Sequence, residues 1–100
     1  MSLEWRISKA ATKDLESIWL FTKEIWSERQ ADRYCQLIMN EIQVICVHPY
    51  AGINYGHVWT GYYASKVKSH LIFYRIKSDK IEVIRILHER MDLLQQFNPS

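Results

Sequence analysis

One hundred residues make a single domain, 1–100, because cores rarely split until a chain is more than twice this long. The apolar fraction is 48%, while three Gly and two Pro exclude collagen-like, linker-like and low-complexity chains. No apolar run approaches the roughly 18 residues of a membrane span, and the start Met1-Ser2-Leu3-Glu4-Trp5-Arg6 lacks the apolar stretch of a secretory signal. The expectation is a soluble cytoplasmic domain with no membrane partner.

Charge is nearly balanced, +2 overall, but it is uneven along the chain. Residues 1–50 hold six Lys/Arg against seven Asp/Glu, and residues 51–100 hold seven against four. All seven basic residues of the second half lie between Lys66 and Arg90. The asymmetry fits an acidic peptide or a polyanion, or simply a solvated surface. A pI of about 8.6 falls short of the usual footprint of a nucleic-acid binder, so direct nucleic-acid binding is expected to be weak or indirect.

Leu3 to Ile7 alternates and reads as a short strand. Ser8 offers a capping oxygen, and the stripe Ala11, Leu15, Ile18, Trp19, Thr22, Ile25, Trp26 follows at helical spacing. On that spacing Trp19 and Trp26 belong to the core, as does Trp5 from the strand. Ser27 with Gln30 opens a second helix, whose stripe runs Ala31, Tyr34, Cys35, Ile38, Ile42 and Ile45 until Pro49 ends it. With almost no linker the two helices fold back as a hairpin. Cys35 and Cys46 lie about 16 Å apart along this second helix and cannot pair, so both are expected as reduced core thiols.

Tyr50 to Gly61 holds all three glycines and reads as a loop. Tyr62–Val67, His70–Lys77 and Ile81–His88 are strand-like, with Ser78-Asp79-Lys80 as a tight turn between the last two. The order β-α-α-β-β-β gives an α+β fold, a helix hairpin packed on one face of an antiparallel sheet. Met91 to Ser100 forms a C-terminal tail with an apolar patch at Leu93, Leu94 and Phe97.

Phosphate loops, Ser/His/Asp spacings and zinc spacings are all missing from the sequence, so neither a metal nor another cofactor is expected. His48, His57 and His70 read as ordinary surface or strand-end residues. His88 ends an apolar strand between Arg85 and Arg90, where an imidazole is able to act as acid or base. Arg75 and Arg85 interrupt the two most apolar strands, and a buried cation needs a partner. By period two, Arg75 shares a face with Leu71 and Phe73, and Arg85 with Val83 and Leu87. That face suits a peptide carrying both carboxylates and hydrophobes. Internal ion pairs with Glu82, Asp79 or a helix acid explain the arginines equally well. Trp59, in the glycine loop, is a further interface candidate.

Three segments together resemble the RelE/ParE superfamily of bacterial type II toxins, the ParE branch in particular. Ser8-Lys9-Ala10-Ala11-Thr12-Lys13-Asp14-Leu15-Glu16-Ser17-Ile18-Trp19 is similar to its AxxDLxxIW first helix. His70-Leu71-Ile72-Phe73-Tyr74-Arg75 is similar to hxIFYR, and Ile84-Arg85-Ile86-Leu87-His88-Glu89-Arg90-Met91-Asp92 to the closing VRVLHxRMD. The chain departs from the branch at Tyr63, where an arginine often stands. The resemblance implies a non-enzymatic toxin that poisons DNA gyrase by stabilising its cleaved DNA complex. It implies neutralisation in a hetero-oligomer with a ParD-like antitoxin, whose acidic and hydrophobic C-terminal segment wraps the sheet and hairpin. Arg75, Arg85, Phe73 and Trp59 are the expected antitoxin contacts, and Arg90, Asp92 and Phe97 the expected target contacts. The alternative is a ribosome-dependent mRNA endoribonuclease of the RelE branch, using His88, Arg85 and Arg90.

Overall fold

The computed structural model describes residues 2–91, so the tail calls at Asp92, Leu93, Leu94 and Phe97 lie outside the described residues. The chain runs β1 (Glu4–Ile7), α1 (Lys9–Ile25), α2 (Glu28–Val47), β2 (Ile53–Asn54), β3 (Tyr62–Val67), β4 (His70–Lys77) and β5 (Lys80–His88). Both helix starts follow their capping signals. Ser8 Oγ accepts from Ala11 N at 2.9 Å, and Ser27 Oγ accepts from Gln30 N at 3.1 Å. The two caps fix where each helix begins and hence the hairpin between them.

The five strands form one sheet in the order β1-β5-β4-β3-β2. Strands β2 to β5 are antiparallel, as expected, and β1 joins β5 in parallel through the pairs Glu4↔Lys80 to Ile7↔Val83. Lys77 pairs with Lys80, which leaves Ser78 and Asp79 as the two turn residues, both at positive φ (52° and 60°). That is the left-handed turn that matches strand twist. The segment read as pure loop, 50–61, contributes the two-residue strand β2, paired to Ala64 and Tyr63. Two residues are too few to leave a period in sequence.

The helices cover one face of the sheet. Ala11, Ile18, Ile38, Ile42, Ile45 and Cys46 pack there against Ile72, Tyr74, Ile81, Val83 and Ile86. Burial raises the Tyr74 phenol to a pKa of about 12, and its hydroxyl donates to Pro49 O at 2.8 Å. On the other face Ala64, Leu71, Phe73 and Leu87 form a second buried cluster with Tyr55, whose ring meets Phe73 edge-on at 5.2 Å. Both cysteines are free thiols, Cys46 buried and Cys35 half-buried.

One β-bulge reassigns β5. Phe73 pairs with Arg85, but Tyr74 pairs with Val83, so Ile84 is an extra residue. Val83 therefore belongs to the helix-side cluster and Leu87 to the opposite one. The expectation that Arg85 shares one face with both is corrected by this single inserted residue. Trp26 is a second correction. It stands at core spacing in α1, yet it is 75% exposed, and Ile25 is 58% exposed. The α1 stripe is buried through Ile18, and among the described residues no layer covers its final turn.

Candidate functional site

Two regions gather side chains suited to binding, the turn end of the helix hairpin and the adjoining end of the sheet. At the hairpin end Thr22 and Trp26 from α1 face Gln30, Arg33, Tyr34 and Leu37 from α2 across a groove of about 520 Å³, with Lys68 from the β3–β4 turn closing one side. Its floor is apolar, and two cations, Arg33 and Lys68, stand beside it. The groove lies within the size range of ligand sites. Of its lining, Trp26 is well exposed and Leu37 is partly open. Periodicity alone could not locate this groove, because it assigned Trp26 to the core.

At the sheet end His70 and His88 are cross-strand partners, and their rings meet edge-on at 5.3 Å. Tyr34 Oη lies 2.6 Å from His70 Nδ1, which ties α2 to the strand end. Arg90 N donates to His88 Nδ1 at 3.2 Å, and Lys66 Nζ pairs with Glu89 at 2.9 Å. Burial lowers the pKa of His70, and the neighbouring His88 lowers it further, while Asp14 and Glu89 oppose them. The unfolded chain therefore binds this proton more readily than the folded one. His70's contribution to stability is complete above the unfolded value of 6.5 and is lost as pH falls through the lower folded value. Urea midpoints are expected to fall as the pH drops below about 6.5, and His70→Gln should flatten that part of the profile. A His70→Gln profile as steep as wild type would refute the assignment.

The arginines on the sheet are internally paired. Arg75 Nε donates to Glu82 at 2.6 Å, and this hydrogen bond pulls the Glu82 carboxyl below its usual range against the opposing effect of burial. Arg85 binds Asp14 of α1 through Nε at 2.8 Å and Nη2 at 2.9 Å, and Ile86 N donates to the same carboxylate at 2.9 Å. Beside it Ser8 Oγ donates to Ile84 O at 2.7 Å. The first turns of α1 thus close the β5 edge where β1 stops. Asp14 was visible in sequence only as a motif residue, and its partner lies 71 residues away.

The expected antitoxin contacts are not gathered into one exposed patch. Phe73 is 1% exposed under Tyr55, Trp59 is half-buried in its loop, and Arg85 is turned to Asp14. Arg75 keeps 40% of its side chain exposed. Of the expected target contacts Arg90 is exposed, while Asp92 and Phe97 lie outside the described residues. Of the nuclease trio, His88 and Arg90 are adjacent, but the Arg85 charge is held by Asp14. Among the described residues no cluster of three or more His, Cys, Asp or Glu is placed to hold a metal ion, and no helix is long and apolar enough to cross a membrane.

Residues 5–93 match the family model described as the ParE toxin of the type II toxin–antitoxin system parDE. The chain belongs to the ParE toxin family. It is 33% identical over 88 residues to the toxin ParE1 of Caulobacter vibrioides, covering 88% of this chain and 91% of that one. It is 34% identical over 94 residues to the toxin ParE1 of Mycobacterium tuberculosis, covering 93% and 96%. Among solved structures, the chromosomal ParDE system of P. aeruginosa superposes with a TM-score of 0.77 at 16% identity, covering 87% of this ParE chain and 96% of that chain. The RelBE2 toxin–antitoxin complex of M. tuberculosis follows at 0.64 and 14% identity, covering 88% and 99%. At those identities the likeness is one of fold, and it is the RelE/ParE-like α+β fold expected from the sequence.

Proposed function

We propose that this ParE toxin works in the cytoplasm by binding, poisoning DNA gyrase through its cleaved DNA complex, and that a ParD-like antitoxin neutralises it. The observation that supports the antitoxin partner is the hairpin groove. An apolar floor with an exposed Trp26, flanked by Arg33 and Lys68, matches a segment that brings hydrophobes on one side and carboxylates at its edge. The groove replaces Phe73 and Arg85 as the centre of the antitoxin contact, and partly exposed Arg75 extends the contact onto the sheet.

Binding without catalysis is supported by the state of the arginine that a nuclease would use. With Arg85 neutralised by Asp14, a phosphate at His88 would meet one fewer cation than the endoribonuclease reading requires. The test is a supercoiling and cleavage assay with purified gyrase. Wild-type toxin should accumulate cleaved DNA, antitoxin should abolish the effect, and folded His88→Gln should change it only a few-fold. General acid–base chemistry would instead predict a loss of about 100-fold or more. Such a loss, with ribosome-dependent mRNA cleavage by the wild type, would replace this reading with the endoribonuclease one.

A further inference from the structure

One flank of α2 connects the groove to a second cavity. Gln30, Arg33, Leu37, Glu41, Val44 and the capping His48 follow one another at spacings of three and four, so they line up along one side of the helix. Gln30, Arg33 and Leu37 line the groove, while Glu41, Val44 and His48 line a cavity of about 80 Å³ with Ser65 and Tyr74 of the sheet. Leu37 and Val44, the apolar members, are 37% and 49% exposed. Two turns of helix put about 12 Å between Arg33 and Glu41. From the groove outward the flank therefore presents a cation, an apolar side chain, a carboxylate and a second apolar side chain.

The hydroxyls of the second cavity have no proton to give. Ser65 Oγ donates to Glu41 Oε2, and Tyr74 Oη donates to Pro49 O. The half-buried Glu41 carboxylate keeps acceptor sites open, and among the described residues it forms no ion pair. A carboxylate drawn partly out of water favours a donor that carries positive charge. The cavity is far below the roughly 300 Å³ at which small-molecule sites begin, so it suits the head of a single side chain. We propose that the antitoxin segment continues from the groove along this flank and sets a basic side chain, arginine or lysine, into the Glu41 cavity. Such a segment carries a carboxylate for Arg33, hydrophobes for Leu37 and Val44, and a cation about 12 Å from that carboxylate. An antitoxin without the cation leaves Glu41 covered and unpaired, so the cavity discriminates between antitoxins.

This inference rests on the antitoxin reading of the groove and extends it to a second anchor. The rival occupant is a second copy, because Arg33 and Glu41 lie symmetrically about Leu37. The antitoxin is favoured because one segment accounts for both cavities, including Trp26 and Lys68, which a pairing of α2 flanks does not use. The experiment is calorimetry of the purified full chain with the purified antitoxin. Glu41→Gln keeps an acceptor for Ser65 and should weaken binding by about tenfold. Glu16→Gln, exposed on α1, should leave it unchanged. When each Lys and Arg of the antitoxin is changed to Gln in turn, one of them should cost little further in Glu41→Gln, the signature of a direct pair. Val44→Ala lies outside the Ser65 hydrogen bond and should weaken binding a few-fold, so the test survives an unstable Glu41→Gln. Unchanged affinity in both variants, with Trp26→Ala still weakened, overturns the cavity and leaves the groove standing. No binding by the wild type overturns both. A loss in Glu41→Gln that adds in full to that of every antitoxin cation overturns the basic anchor. So does a toxin dimer, seen by sedimentation, that Glu41→Gln dissociates.

Discussion

Replacing Asp14 by alanine is expected to cost the fold on the order of 2–4 kcal/mol, the largest effect of any single polar substitution considered. The carboxylate serves three donors at once, Arg85 Nε, Arg85 Nη2 and Ile86 N. Its loss takes two charge-assisted hydrogen bonds from a guanidinium whose side chain is only 21% exposed, and it removes the acceptor of a backbone N–H at the strand edge. The figure is set below that for a fully buried pair because water still reaches both side chains. A domain of this size is held by about 5–15 kcal/mol, so the thermal midpoint should fall by about 10–25 °C. Asp14→Asn keeps an acceptor for Ile86 N and should lose roughly half as much. Urea and thermal unfolding would check both, and an unchanged midpoint in Asp14→Ala would show that the pair adds nothing net. The same pair bears on Arg85 as an antitoxin contact. Weaker binding by Arg85→Ala counts as evidence for contact only in protein shown to be folded.

Trp26→Ala should weaken antitoxin binding by at least about 30-fold while leaving the fold nearly untouched. Truncating an aromatic anchor at the centre of an interface typically costs 2 kcal/mol or more, in roughly that range of affinity. The side chain is 75% exposed in the toxin alone, so little packing within the domain is lost. Arg33→Ala and Lys68→Ala, beside the floor, should each have smaller effects that shrink with added salt. Calorimetry with the purified antitoxin would measure all three. Affinity unchanged in Trp26→Ala would remove the groove from the antitoxin interface and return attention to Arg75 and the opposite sheet face.

The amino-acid order determined the elements and their sequence along the chain. Capping at Ser8 and Ser27, the helical stripes, Pro49 and the Ser78-Asp79 turn are local signals, and each acts within a few residues of where it is read. The ParE resemblance was legible for a related reason. Its motifs fall on the first helix and the two central strands, where the core and the Asp14–Arg85 link restrict which side chains fit.

The tertiary structure decided what depends on distant partners. The short strand β2 exists because β3 offers it an edge, and β1 is parallel because α1 and α2 carry the chain back before β5 arrives. A single extra residue at Ile84 put Val83 and Leu87 on opposite faces, so Arg85 cannot share a face with both as strict alternation assigned, since a bulge inverts the alternation across it. Arg75 and Arg85 were recognisable as cations in apolar strands, but only the fold chose internal carboxylates over an outside partner. Trp26 shows the converse. Helical spacing sets the direction in which a side chain points, and burial requires a second layer there, which the described fold does not supply at the end of the hairpin.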